Sequence, residues 1–257
     1  MIRQERRDGW VLLTIDRPEA RNALNLETLA ELEQILLTLE QDESLRALVL
    51  TGGGERVFIS GGDLKQFSQL RGHETAWRTS KRYQDVLNRL EQFPVPVVAA
   101  VNGHAFGGGC EVALACDFRV MAEEATLQFK QVHMGLVTGW GGGARLLTLV
   151  GYAQAARLLL LGESVTAADA LSMGLVHEVA PRAHLLERTE ALVEKLKALP
   201  PLAVRSFKRL LQLWRSLPMA EAQALEREHF AALWETEDHW EASQATLDKR
   251  PPVFKGR

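Results

Sequence analysis

The sequence predicts an α/β protein, with a mainly parallel sheet in the first two thirds of the chain and a helical part behind it. Three observations lead there. Apolar runs rich in branched residues alternate with segments of helical period, the pattern of strands crossed over by helices. Two of those runs, RALVLTGGG and VPVVAAVNG, are apolar on both faces and end in glycine, as strands covered on both sides do. After Pro181 the helical period takes over almost completely.

Taken in order, WVLLTID (residues 10–16) reads as a strand closed by Arg17-Pro18. Asn25 is placed to cap an amphipathic helix with Thr28 in its first turn and Leu29, Leu32, Leu36 and Leu39 on one face. Residues 46–54 form a buried strand, residues 76–93 a helix, and residues 95–103 another buried strand entered through Pro94 and Pro96. Shorter strands are expected at 117–122 and 174–180. Three amphipathic helices follow, over 185–199, 202–213 and 219–234, broken by Pro200-Pro201 and Pro218. The basic end, KRPPVFKGR, has no period. The division expected is a core over 1–195 and a helical part over 196–257. Trp214, Trp234 and Trp240 of that part are expected in the chain's own core, with a subunit interface as the alternative.

Composition narrows the function. With 257 residues, a net charge of -3 and 46% hydrophobic residues, the chain is an ordinary globular one. It has no basic stripe for nucleic acid or an anionic membrane, and neither partner is expected. The apolar stretch 95–116 is long enough to consider for a membrane, but its glycines, Asn102, His104 and Glu111 argue against one. The two cysteines, Cys110 and Cys116, make no disulfide framework and fit a reducing cytoplasm.

The stretch NGHAFGGGCEVALACD concentrates glycines ahead of a lone acid, Glu111. It lacks the lysine of a phosphate loop, and no dinucleotide fingerprint, nucleophile elbow or metal-ligand spacing occurs, so no metal is expected. What remains is geometric. Gly108 and Gly109 would open a short buried helix, where N–H groups have no helical partner and a ligand oxygen can approach. FISGGDLKQF offers a second such element, with Asp63 capping a helix from Leu64 and the N–H of Gly62 facing that of Gly108. Two donors of this kind make an oxyanion site.

These two motifs, with RPEARNALN, WGGGARL, LLLLGESVTAADALSMGLVHEV and the terminal KRPPVFK, closely resemble the crotonase superfamily of enoyl-CoA hydratases and isomerases over nearly the whole chain. The resemblance implies a spiral of ββα turns with a helical C-terminal part that builds homotrimers, which can pair as a dimer of trimers. It implies an acyl-CoA thioester as substrate, with coenzyme A part of that substrate and no permanently bound cofactor. Gly62 and Gly108 match the two oxyanion donors, and Glu111 matches one of the two catalytic glutamates. Ala20, Arg21 and the segment Ser60, Gly61, Gly62, Asp63, Leu64 would line the CoA path. Phe254 and Lys255 match tail residues that reach CoA, sometimes that of a neighbouring subunit.

The sequence departs from the family at the second glutamate, where Gln131 stands in Phe129-Lys130-Gln131. Glutamine exchanges no proton at neutral pH but can orient water or a carbonyl. Histidine is a general acid–base side chain, and His133, two residues on, substitutes if its loop turns it inward. The WGG core around Trp140 also resembles the ethylmalonyl-CoA decarboxylase branch, with Trp140 a candidate wall of the acyl pocket. Hydration of an enoyl-CoA is therefore the leading expectation. Decarboxylation of an ethylmalonyl- or methylmalonyl-CoA is the alternative, and a CoA-binding member with little catalysis is a third reading.

Overall fold

The computed structural model describes every residue from Met1 to Arg257. The chain opens with β1 (Ile2–Arg7) and β2 (Trp10–Ile15), then α1 (Leu26–Leu39). Three turns of one pattern follow. Each lays a strand in a first sheet, bends into a strand of a second sheet, and returns through helix. They are β3 (Ala47–Gly52), β4 (Val57–Ile59), α2 (Leu64–Phe67) and α3 (His73–Glu91); β5 (Val97–Val101), β6 (His104–Phe106) and α4 (Gly108–Leu114); and β7 (Phe118–Ala122), β8 (Thr126–Gln128) and α5 (Gly142–Leu160). Next come β9 (Ser164–Thr166), α6 (Ala167–Ser172) and β10 (Glu178–Ala180). Four helices end the chain: α7 (Leu185–Lys197), α8 (Pro201–Trp214), α9 (Met219–Trp234) and α10 (Glu237–Asp248). The first sheet has the order β1-β2-β3-β5-β7-β10 and the second β4-β6-β8-β9. Only β1 with β2 and β8 with β9 pair antiparallel. This is the ββα spiral expected. No helix is long and apolar enough to cross a membrane.

Local chemistry explains the elements. Asn25 Oδ1 accepts the Thr28 N–H at 2.8 Å and starts α1, whose buried face is Leu29, Leu32, Ile35, Leu36 and Leu39. Every residue of β5 is buried, as befits an interior strand between β3 and β7 with α7 packed against it. Two asparagines hold the strand corners. Asn102 accepts from Gly52 N and donates to Gly52 O and Gly54 O, while Asn22 donates to Gly53 O and Val57 O. Backbone groups that leave the ladder at each bend are thereby satisfied.

Besides the second sheet and the helices α5 and α6, which the sequence reading did not name, the structure differs from it in four places. β1 was not expected, because IRQERR has no apolar alternation; it is an edge strand with only Ile2 buried, and its charges keep that edge unpaired. The strand expected at 174–180 is confined to Glu178–Ala180. Before it, Leu175 N and Val176 N turn back to Ala170 O, and Leu175 O accepts from the buried Arg119 guanidinium at 2.7 Å, so the segment cannot pair as a strand. A further helix, α10, lies beyond the three expected ones, capped by the Thr236 hydroxyl on His239 N. Trp234 and Trp240 do not enter the chain's core; they sit half-exposed in one aromatic cluster with Phe230 and His239.

One contact anchors the helical part to the sheet. Lys208 of α8 is buried and donates to Val95 O at 2.8 Å and to Asp117 Oδ2 at 2.6 Å, and the same carboxylate oxygen accepts from Val97 N. Lys208→Met keeps the stem and strands Asp117 without its cation. We expect a loss of about 3 kcal/mol in unfolding free energy, the low end for breaking a buried pair, because Asp117 keeps some access to water. Chemical denaturation of the two proteins measures it, and a change below about 1 kcal/mol would make the pair a surface-like one.

Candidate active site

The site forms where the second turn of the spiral crosses the first. After β4 the chain runs Ser60-Gly61-Gly62 and then Asp63, whose carboxylate accepts from Lys65 N and caps α2. The segment 21–24 pins this stretch from one side. Ser60 N donates to Arg21 O, Leu24 N to Gly61 O, and Asp63 N to Leu24 O, while Arg17 pairs with Asp63 at 3.1 Å. Between these fixed points the N–H of Gly62 donates to no group of the chain.

α4 supplies the other side. Its N-cap, Gly107, has φ +51°, and the N–H groups of Cys110 and Glu111 both turn to Gly107 O. Gly108 is the first helical residue, so its N–H has no partner within the helix. The close approach demands glycine twice. Gly61 holds φ +102°, and a methyl group there would stand 3.1 Å from Gly108 N; at Gly109 no methyl fits against the Ile59 carbonyl. The two donor elements are therefore in backbone contact.

Glu111 lies one turn into α4 with its carboxylate almost wholly buried. Oε2 accepts from Trp140 N and Gly142 N, each at 2.8 Å, and Oε1 accepts from Gln131 Nε2 at 2.9 Å. A carboxylate has four lone-pair positions, so one remains open on Oε1. Burial pushes the carboxyl above its ordinary range, outweighing the pull of the Gly142 and Trp140 N–H groups and the Gln131 amide. Gln131 Oε1 is buried and receives no donor from the chain. The arrangement offers two backbone donors for a developing negative charge, one acid or base with a raised pKa, and one free acceptor beside it. Burial also pushes the Cys110 thiol well above its usual value, so it stays a packed thiol, donating to Ala105 O.

Of the residues singled out in the sequence, the fold gathers Gly61, Gly62, Gly108, Glu111 and Gln131 with Trp140. Ala20 and the exposed Arg21 lie on the turn paired to Ser60, with Arg21 in the left-handed region at φ 53°. Leu64 is exposed beside them. His133 goes elsewhere: it is exposed in a 3-10 turn, with its ring against Gly162 and no bond to Glu111. Phe254 and Lys255 belong to a tail folded on α10, where Asp238 accepts from Lys255 N and Gly256 N; within one chain this tail makes no hydrogen bond to residues 60–64.

Gly142 and Arg145 were missed, and Trp140 was singled out for its ring alone. Trp140 and Gly142 act through their backbone N–H groups, which no side-chain motif reveals. Arg145 is buried and donates to Trp140 O at 3.0 Å while held by Glu91 and Asn88; an arginine inside the apolar run after WGGG was the available signal.

The chain is similar to known proteins along its full length. The family model for enoyl-CoA hydratase/isomerase matches residues 5–257. A short-chain-enoyl-CoA hydratase of Clostridium acetobutylicum is 35% identical over 98% of this chain and 97% of its own. A 2,3-dehydroadipyl-CoA hydratase of Escherichia coli is 38% identical over 98% and 97%. The crystal structure of an enoyl-CoA hydratase from Bacillus anthracis superposes with a TM-score of 0.96 at 33% identity, covering 100% of this chain and 99% of that one.

Proposed function

The chain belongs to the enoyl-CoA hydratase/isomerase family and is a CoA-thioester lyase of the enoyl-CoA hydratase type; we propose that Gly62 and Gly108 hold the thioester oxygen while Glu111 moves the proton. The observation that carries this reading is the contact of two glycine backbones at Gly61 and Gly108, one turn of helix from a buried acid. In hydration the oxygen of water bonds to the β-carbon and Glu111 takes its proton. The double-bond electrons move to the thioester oxygen as an enolate, where the two N–H groups meet the charge. Glu111 then returns the proton to the α-carbon. Each such donor is worth about 3 kcal/mol at the transition state. The unpartnered Gln131 Oε1 suits a hydrogen bond from the attacking water or from the product hydroxyl.

CoA itself is proposed to run past Ala20, Arg21 and the backbone from Ser60 to Leu64. Phe254 and Lys255 are proposed to reach the CoA of a neighbouring subunit in a homotrimer or dimer of trimers. The exposed apolar side chains of Met134, Leu136, Val137, Tyr152 and Leu160 support such an assembly.

One observation favours a second reading. The place of the second acid is taken by the Gln131 amide, and loss of carbon dioxide from a malonyl-type CoA needs only one proton donor. There the departing carboxylate leaves its electron pair in the enolate, and protonated Glu111 delivers a proton to the α-carbon. One mass-spectrometric assay with crotonyl-CoA and ethylmalonyl-CoA separates the two. Addition of water to crotonyl-CoA is expected; loss of carbon dioxide from ethylmalonyl-CoA with crotonyl-CoA untouched would replace hydration by decarboxylation. The pH profile makes an independent check. Hydration needs ionised Glu111, so kcat/KM should rise with pH through a value above the ordinary carboxylate range. Decarboxylation needs the acid form and should fall through the same value.

A further inference from the structure

The two donor glycines are joined by a continuous chain of aromatic rings. The edge of Phe67 lies against Gly62, where a methyl group would stand 2.5 Å from the ring. Phe67 meets Tyr83 edge-on with centroids 5.7 Å apart. Tyr83 stacks on Trp140 at 4.1 Å with the planes 6° apart. The six-membered ring of Trp140 in turn lies on Gly108, leaving no room for a methyl group. The arch thus runs from one oxyanion donor to the other.

It is also held rigidly. Tyr83 is fully buried, and its hydroxyl donates at 2.8 Å to Leu24 O, in the segment that pins Gly62. Trp140 is fixed at both ends of its backbone, by Glu111 Oε2 on its N–H and by Arg145 on its carbonyl. Gln84 of α3 donates to the preceding carbonyl, Gly139 O, at 3.0 Å. Moving the indole would disturb the acid and the α3 contacts together, so the ring cannot yield to a longer ligand as a loose methionine or leucine would.

We propose that this arch, with Trp140 as its determining residue, closes the acyl side of the site and restricts the enzyme to short acyl-CoA thioesters. The proposal rests on the reading that the thioester oxygen sits between Gly62 and Gly108. With the oxygen there and the α-carbon beside Glu111, the indole borders both, and a long chain must displace it to continue.

Binding of non-reacting saturated thioesters tests this without turnover. In an open apolar pocket each added methylene tightens binding about fourfold, so octanoyl- and dodecanoyl-CoA should outbind butyryl-CoA. A wall reverses the order. Calorimetry on the wild-type enzyme is expected to give butyryl-CoA at least tenfold tighter than octanoyl- or dodecanoyl-CoA. Trp140→Ala should recover octanoyl-CoA binding by at least tenfold relative to butyryl-CoA. Equal or tighter wild-type binding of the long chains overturns the proposal whether or not the variant folds. So does a Trp140→Ala protein that binds butyryl-CoA yet keeps the wild-type order. Failure to bind butyryl-CoA, octanoyl-CoA and free CoA alike would instead overturn the thioester reading, and the proposal with it.

Discussion

Glu111→Gln is expected to lower turnover by about 10²- to 10⁴-fold, the usual share of a general acid–base group, with no loss of thermal stability. The side chain keeps its shape. A glutamine oxygen still accepts from Trp140 N and Gly142 N, and its amide can donate to Gln131 Oε1, the acceptor that otherwise has no donor. Binding of CoA and the fold should survive while the proton transfer does not. The stability expectation follows from the direction of the titration. Burial raises the carboxyl in the folded protein above its ordinary 4.5, so the folded state holds the proton more tightly than the unfolded one. The group therefore adds stability at low pH and loses it as pH rises from 4.5 through the raised value. Above the raised value the ionised carboxylate is a burden that glutamine removes, and Tm there should be equal or higher. Steady-state kinetics with thermal melts at pH 5 and 7.5 check both halves. A variant that keeps full turnover would strip Glu111 of its role, and a falling Tm would show the carboxylate to be structural.

Gln131→Glu is expected to raise hydration of crotonyl-CoA by about 10²-fold, because it restores a second proton-transfer group at a place worth that much. The Gln131 amide nitrogen lies 2.9 Å from Glu111 Oε1, so the new carboxylate would sit within hydrogen-bond reach of the first. Two such acids do not both ionise easily. They share a proton and titrate in two steps that belong to the pair. The pH profile should therefore change from a single rising limb to a bell. Parallel rates on crotonyl-CoA and ethylmalonyl-CoA measure the effect. Unchanged hydration would mean that a missing second acid is not what limits this enzyme, and that Glu111 alone with a water on Gln131 suffices.

Much of the architecture was legible because it rests on local periods. The buried strands at Ala47–Gly52 and Val97–Val101 announce themselves by unbroken apolar runs, and α1 by its cap and its leucine face. β1 was not legible, since an edge strand needs little apolar surface and gains its hydrogen bonds from β2 alone. The same holds for the exposure of Trp234 and Trp240: the sequence reports that they are apolar, not which surface they are left on.

For the site, the sequence by itself determined the candidate groups and their class: paired glycines ahead of two helices, one acid after the second, and an amide, Gln131, where the resemblance led one to expect another acid. These are properties of residue type and short spacing, which the chain carries wherever it folds. Only the tertiary structure decided how they are held. The Glu111 carboxylate is fixed through Oε2 by the N–H groups of Trp140 and Gly142, which leaves Oε1 the open position, His133 is turned out against Gly162, and Phe67, Tyr83 and Trp140 meet as an arch between the donors. The physical reason is that backbone donors carry no side-chain signature, and that rings from α2, α3 and the segment before α5 touch only after the spiral has closed.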